Sequence, residues 1–214
     1  MHLVLAALFF LPPEADLLQK RAEDVPREEL LSSNCQTLID DLFSVARGER
    51  KDLEARVMVG LAAPQVGVLK RIILVDMGVT EDRKNLGDLR AYINPEIIWY
   101  SDEIEIGREG CYSVNPCLCG LVPRSSHIKI RALDRSGADV EEELSGFTAR
   151  IFQHEVDHLN GIRFPDRVGP EGILHWVEKT QYGEYRENFL NWPVRCPWIK
   201  WMEMKNGTVF SASD

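Results

Sequence analysis

The chain predicts an α+β fold, a mostly antiparallel sheet packed around one central helix, with an additional C-terminal segment. Three observations carry this. Short apolar, β-branched and aromatic runs recur between residues 57 and 144, punctuated by turn residues. A helix-period stretch follows at 147–159, so strands precede a helix without the regular alternation that builds a parallel sheet. Beyond residue 169 the chain turns aromatic-rich, with Trp176, Tyr182, Tyr185, Trp192, Trp198 and Trp201. The division read from this is a domain at 1–168 and an extension at 169–214, packed on the domain or at an oligomer interface.

Length and composition bound the possibilities. A chain of 214 residues buries a sizeable core as one domain with an appendage. A net charge of -9 argues against a broad phosphate-binding face, so no direct nucleic-acid binding is expected. The apolar run at 3–11 is too short to span a bilayer, and no membrane association is expected. It lacks a positively charged start and ends at Pro12-Pro13 without a small-residue cleavage site, so it reads as a buried strand or the first element of the fold. Cys35, Cys111, Cys117, Cys119 and Cys196 are an odd number, thinly spread, which is no disulfide framework. They fit a reducing compartment, a bacterial cytoplasm or, alternatively, an organelle.

In chain order, residues 16–31 are charged and broken by Pro26, as in a surface connection leading to a helix. Ser33 or Asn34 is expected to cap a helix over 35–46, where Leu38, Ile39, Leu42, Phe43 and Ala46 recur at helical spacing. A charged loop is expected at 48–54. VMVGLAAPQVG at 57–67 reads as a tight strand-to-turn crossing, in which Gln65 must find partners if buried. RIILVD at 71–76 predicts a strand and 80–89 a loop. Residues 91–100 and 103–106 predict a hairpin or two successive strands around Ser101-Asp102. Ile128, Ile130 and Ala132 line one side of a strand at 127–133; 134–137 is a turn, and 138–144 returns as an acidic strand. The stretch 198–204 alternates as a strand would, for pairing onto the sheet or with a second copy in a homodimer. His2, His127 and His175 read as surface or packing histidines.

Within the helical stretch, QHEVDHLNG at 153–161 places His154 and His158 four residues apart, one above the other on a helix face, where they can share an ion. Glu155 is offset around the helix and positioned to act as a general base rather than a ligand. A third ligand is expected from 108–114, where Cys111 follows a glycine at the end of a strand. A thiolate with two imidazoles leaves a fourth tetrahedral position open. Cys117 and Cys119 are rivals on chemistry alone; a four-ligand structural site built on them would leave Glu155 idle.

GLAAPQ at 60–65, EGCYS at 109–113 and QHEVDHLNG at 153–161 stand in one order, and with them the chain resembles the peptide deformylases over about residues 14–168. The resemblance implies a metal hydrolase that removes the formyl group from the N-terminal methionine of nascent chains. One divalent ion is implied, Fe2+ natively, with Zn2+, Ni2+ or Co2+ in purified protein, and N-formyl-methionyl peptides on ribosome-associated nascent chains as substrate. Carried over residue by residue, Cys111, His154 and His158 become the metal ligands and Glu155 the acid/base. The Gln65 amide and the Tyr112 backbone N–H would hold the formyl oxygen. Gly60 and Gly110 would flank an extended peptide, with Val59, Phe147 and Ile151 walling the methionine pocket, and Glu109 would pair with Arg124 to brace the cysteine loop.

The chain departs from the family at Met58, where a second glycine is usual, at Tyr112, where leucine is common, and in its tail. That tail mixes Lys179, Arg186 and Arg195 with Glu178, Glu184 and Glu187, so docking of the tail on the ribosome is not carried over. Two rival readings are an HExxH metallopeptidase, against which the cysteine and Gln65 count, and a metal- or peptide-binding relative with weak catalysis.

Overall fold

A computed structural model of the chain describes residues 8–50, 57–80 and 87–208. His2, residues 3–7 of the apolar run, and the expected loop residues 51–54 and 81–86 lie outside the described residues.

A five-stranded, wholly antiparallel sheet runs β1 (Gly60–Ala62), β2 (Ile72–Asp76), β3 (Leu89–Tyr100), β6 (His127–Leu133), β7 (Asp139–Ser145). Its centre explains why RIILVD carries no polar alternation: every residue of β2 is buried. Ile72 and Leu74 face α2 (Ser33–Ala46) through Leu38, Ile39 and Leu42, while Ile73 and Val75 face α3 (Gly146–Leu159) through Ile151, Phe152 and Val156. A strand covered on both faces reads as a continuous apolar run. β6 is covered on one face, so Ile128, Ile130 and Ala132 are buried against α3 as their alternation predicts.

A second antiparallel sheet runs β4 (Ile104–Glu109), β5 (Leu118–Ser125), β8 (Ile173–Trp176), β9 (Arg195–Cys196). This corrects the hairpin alternative at 91–106. β3 and β4 are successive strands in different sheets, because the chain turns a corner at Ser101-Asp102. The return corner at Ser126 locks to it: Ser101 N–H donates to His127 O at 3.0 Å and Ser126 N–H to Glu103 O at 2.9 Å.

Three further expectations change. The helix cap is Ser32, whose extended backbone lets its hydroxyl accept from Cys35 N–H at 3.3 Å, not Ser33 or Asn34. Residues 16–31 are more than a surface connection: they hold a 3-10 turn (Asp16–Gln19), a bridge from Glu23 to Lys70 and a short α1 (Arg27–Leu30), burying Leu18, Ala22, Val25 and Leu30. Asn94, in the left-handed region at φ 51°, pins this segment by accepting from Val25 N–H at 2.8 Å and donating to Val25 O at 2.9 Å. The apolar run forms no strand over 8–11; Leu8 is buried in the core beside α2 and Leu11 N–H donates to Gln65 O at 2.9 Å.

The tail corrects the strand expected at 198–204. Those residues form α6 (Trp198–Lys205), which buries Trp201 and Met204 and leaves Ile199 58% exposed. Trp198, Trp201 and Met202 pack on one cluster, which is helical spacing rather than alternation. α4 (Phe164–Val168) and α5 (Tyr182–Asn188) complete the fold, and Trp192 and Tyr185 close a small cluster with Cys119 and Val177.

His175 belongs to that region as a packing histidine. It is fully buried, its Nδ1 lies 3.1 Å from Tyr185 Oη, and its Nε2 has no partner. Burial pushes its pKa down to about 4, with Arg195 adding to the effect. The unfolded chain therefore takes up this proton near pH 6.5 while the folded chain resists until about 4. Stability contributed at neutral pH falls as pH drops through that window, by on the order of 3 kcal/mol from this residue. Urea unfolding of wild type and His175→Gln from pH 7 to 4 should show the slope weakened in the variant.

Candidate metal centre

His154 and His158 occupy successive turns on one face of α3, with ring centroids 5.0 Å apart. Opposite them, the turn after β4 presents Cys111, whose Sγ lies 3.2 Å from His158 Nε2. The three donor atoms all lie within 4.8 Å of one another. Cys117 and Cys119 stand elsewhere: Cys117 Sγ faces Glu178 at 3.8 Å, and burial among apolar side chains pushes the Cys119 thiol up to about 12.

The donor set fits a divalent ion. Cys111 Sγ also gathers Gln65 Nε2 at 3.3 Å and Ser113 N–H at 3.4 Å, donors that suit a sulfur carrying negative charge. His154 commits Nδ1 to Glu109 Oε2 at 2.8 Å, which leaves Nε2 for the centre. Burial disfavours the imidazolium of His154, yet hydrogen bonds to Cys111 and Glu109 outweigh it and hold the pKa well above the usual value. His158 is held well below it, by burial and then by the charge of His154. A sulfur and two nitrogens so disposed could hold zinc, iron or nickel.

Around the centre lies a buried ionic network. Glu109 takes a two-pronged bond from Arg124, Nε at 2.9 Å and Nη2 at 3.0 Å, and a third from Arg150 Nη1 at 3.0 Å. Burial alone would raise the Glu109 pKa; Arg124 and His154 instead hold it well below the carboxylate range. Arg124 Nη1 continues to Asp157 at 2.5 Å, which also pairs with Arg167. Arg150 further donates to Val122 O at 2.8 Å and Glu105 O at 2.7 Å, tying α3 to β4 and β5. Gly107 makes room for it, since a Cβ there would sit 2.7 Å from the guanidinium. The family resemblance implied the Glu109–Arg124 pair, which the structure shows, and Arg150, Asp157 and Arg167 were missed. Their signal was spacing: Arg150 stands one turn before His154, and Asp157 one residue before His158.

Among the other expected site residues, Gln65 reaches the sulfur and Gly60 lies close to Glu155 and Ile151. Gln65 is buried and satisfied: its Oε1 accepts from Ala62 N–H at 2.8 Å while its amide reaches the sulfur. Gly60 lies against Glu155, where a Cβ would meet Oε1 at 2.4 Å and Ile151 Cγ2 at 2.8 Å. Glu155 is buried with Oε2 unpartnered, and burial pushes its pKa up to about 7 against the lowering effect of His154. Val59, Phe147 and Ile151 share one apolar cluster. Met58 turns into the core beside α2, so its bulk does not narrow the cleft. Tyr112 keeps its ring 45% exposed and stacked on Phe10, centroids 5.1 Å apart, and Gly110 is exposed.

Comparison with known proteins agrees with this geometry. The sequence profile of the polypeptide deformylase family matches residues 10–172. The peptide deformylase of Brachyspira hyodysenteriae is 40% identical over 171 residues, 80% of this chain and 84% of that protein. That of Thermomicrobium roseum is 40% identical over 154 residues, 71% of this chain and 81% of its own. Among solved structures, the Met-Ala-Ser-bound class I type b peptide deformylase of Acinetobacter baumannii superposes with a TM-score of 0.67 at 36% identity, covering 76% of this chain and 99% of that one. The Thermotoga maritima peptide deformylase gives 0.62 at 34% identity, covering 76% and 99%. Three motifs in order, a Cys-His-His donor set beside a buried glutamate, and these matches along most of the chain place it in the peptide deformylase family, the metal-dependent enzymes that remove the N-formyl group from nascent polypeptides.

Proposed function

We propose that Cys111, His154 and His158 hold one divalent ion, Fe2+ in the native state, with α3 as the central metal-binding helix, and that Glu155 moves the proton in deformylation. The observation that carries this is the convergence of one sulfur and two imidazoles beside a buried carboxyl lodged against Gly60. When bound, the ion supplies Lewis acidity, which acidifies water and polarises the formyl carbonyl. Glu155, with a pKa pushed up to about 7, accepts a proton from the attacking water and returns it to the departing amine. Gln65 Nε2 and the Tyr112 backbone N–H donate to the formyl oxygen as negative charge builds there. The main chain at Gly60 and Gly110 flanks the extended peptide, and Val59, Phe147 and Ile151 enclose the methionine side chain.

Gly60→Ala tests the close approach. A Cβ cannot coexist with Glu155 in its present place, and a displacement of about 1 Å at a reacting group lowers rate on the order of 100-fold. Steady-state deformylation should show that fall mainly in kcat.

The substrate is an N-formyl-methionyl peptide on a ribosome-associated nascent chain, met in a bacterial cytoplasm. Among the described residues no helix is long and apolar enough to cross a membrane. The extension at 169–214 packs on the 1–168 domain; β8 and β9 continuing the second sheet from β5 favour that over a role confined to a homodimer interface. The deciding experiment is anaerobic purification, metal analysis and an assay of formyl-Met-Ala-Ser against acetyl-Met-Ala-Ser and unblocked Met-Ala-Ser on one sample. Release of formate alone supports deformylation; peptide-bond cleavage would support the metallopeptidase reading.

A further inference from the structure

Arg163, just before α4, is fully buried, and its Nε and Nη2 have no hydrogen-bond partner. Its Nη1 donates to Pro13 O and, at 3.5 Å, to Ser113 O. The guanidinium lies over the ring of Trp201, 4.4 Å from its centroid. Trp201 is fully buried too, and it is anchored: its Nε1–H donates to Asp166 Oδ1 at 2.8 Å, an oxygen that also takes Lys205 Nζ at 2.8 Å.

Arginine is almost never fully buried unless paired. Among the described residues no carboxylate bonds this side chain directly; from Arg163, Asp166 Oδ2 takes only the backbone N–H, at 3.0 Å. What the guanidinium bonds instead is two backbone carbonyls, Pro13 O and, at a longer 3.5 Å, Ser113 O of the cysteine turn. Ser113, whose carbonyl it holds, donates its own N–H to Cys111 Sγ at 3.4 Å. Arg163 thus stands one residue contact behind the sulfur, with the face of Trp201 at its back.

We infer that Arg163 is a positioning residue for the metal centre: stacked on Trp201 of α6, it fixes the Cys111–Ser113 turn and sets a positive charge behind the thiolate, so the C-terminal helix holds that ligand in place. This rests on Cys111 being a ligand, as proposed above. Burial lowers the Arg163 pKa, and the charges of Asp166 and Cys111 work against that fall. The tail is thereby given a task at the centre, although it contributes no ligand.

The test is ion retention. Co2+-loaded wild type, Arg163→Met, Arg163→Lys and Trp201→Leu are mixed with excess chelator, and the loss of the thiolate-to-cobalt absorption band is timed where near-ultraviolet circular dichroism shows each protein folded. Arg163→Met should release Co2+ about 10- to 100-fold faster, the usual effect of losing a group that orients a ligand. Trp201→Leu should accelerate release about 5-fold, and Arg163→Lys should recover part of the loss. Should Arg163→Met not fold, Trp201→Leu and Arg163→Lys carry the test. Release as slow as wild type in the folded variants overturns the inference. A wild type that shows no thiolate-to-cobalt band at all would instead overturn the ligand assignment.

Discussion

Glu155→Ala should bind its ion with near-normal affinity and deformylate the substrate at a rate lowered by about 1,000-fold. Glu155 is not among the three convergent donors, so removing it leaves the sulfur and both imidazoles in place. General acid–base catalysis is worth roughly 100- to 10,000-fold, and here one carboxyl serves as both acceptor and donor. Its burial against Gly60 and Ile151 fixes the direction of transfer, and its raised pKa makes it a competent carrier near neutrality. The carboxylate is the working form at the start of turnover, so wild-type kcat should fall as pH drops below Glu155's pKa. The positive charge of a bound ion lowers that value, placing the limb at or below about pH 7. The limb should vanish in Glu155→Ala; a variant with near-normal turnover would refute the role.

Glu109→Ala should destabilise the fold by about 3–5 kcal/mol, the range for removing one member of a buried ion pair. Glu109 compensates Arg124 and Arg150 while holding His154 Nδ1, so its loss leaves Arg124 with Asp157 alone and Arg150 with backbone carbonyls only, and frees one imidazole. Denaturant unfolding measures the first effect and chelator-driven release of the ion the second. Both should appear, because the same carboxylate supports packing and ligand orientation. Glu109's pKa is lowered in the folded state, so its stabilisation is present above about pH 4.5 and is lost as pH falls further. Below about pH 4.5 the wild-type protein should therefore lose stability more steeply than Glu109→Ala. Equal acid sensitivity in the two proteins would show that Glu109 is not the group responsible.

What could be read from the residues divides along physical lines. β2 and β6 were legible because burial on two faces or on one leaves its own period in the sequence, and α3, buried on nearly every side, because its two histidines stand at helical spacing. The three-donor set was legible because helical spacing fixes two of its members and the third follows a glycine at a strand end. The corner between β3 and β4 was not: turn residues mark a change of direction, and only the hydrogen bonds across Ser101, Glu103 and Ser126 reveal a change of sheet. α6 was misread because Met202 and Met204 around Glu203 alternate as a strand would, whereas Trp198, Trp201 and Met202 repeat at helical spacing and packing against α4 selects the helix. Arg163 was invisible, since an arginine in sequence reads as surface until its partners are placed.

The most direct test of the central claim is the absorption spectrum of the Co2+-substituted protein, wild type against Cys111→Ser, His154→Ala and His158→Ala. A thiolate-to-cobalt band in wild type, absent in Cys111→Ser and weakened with loss of affinity in both histidine variants, is the predicted result. A band that persists in Cys111→Ser, or undiminished affinity in either histidine variant, would contradict a centre built on these three residues.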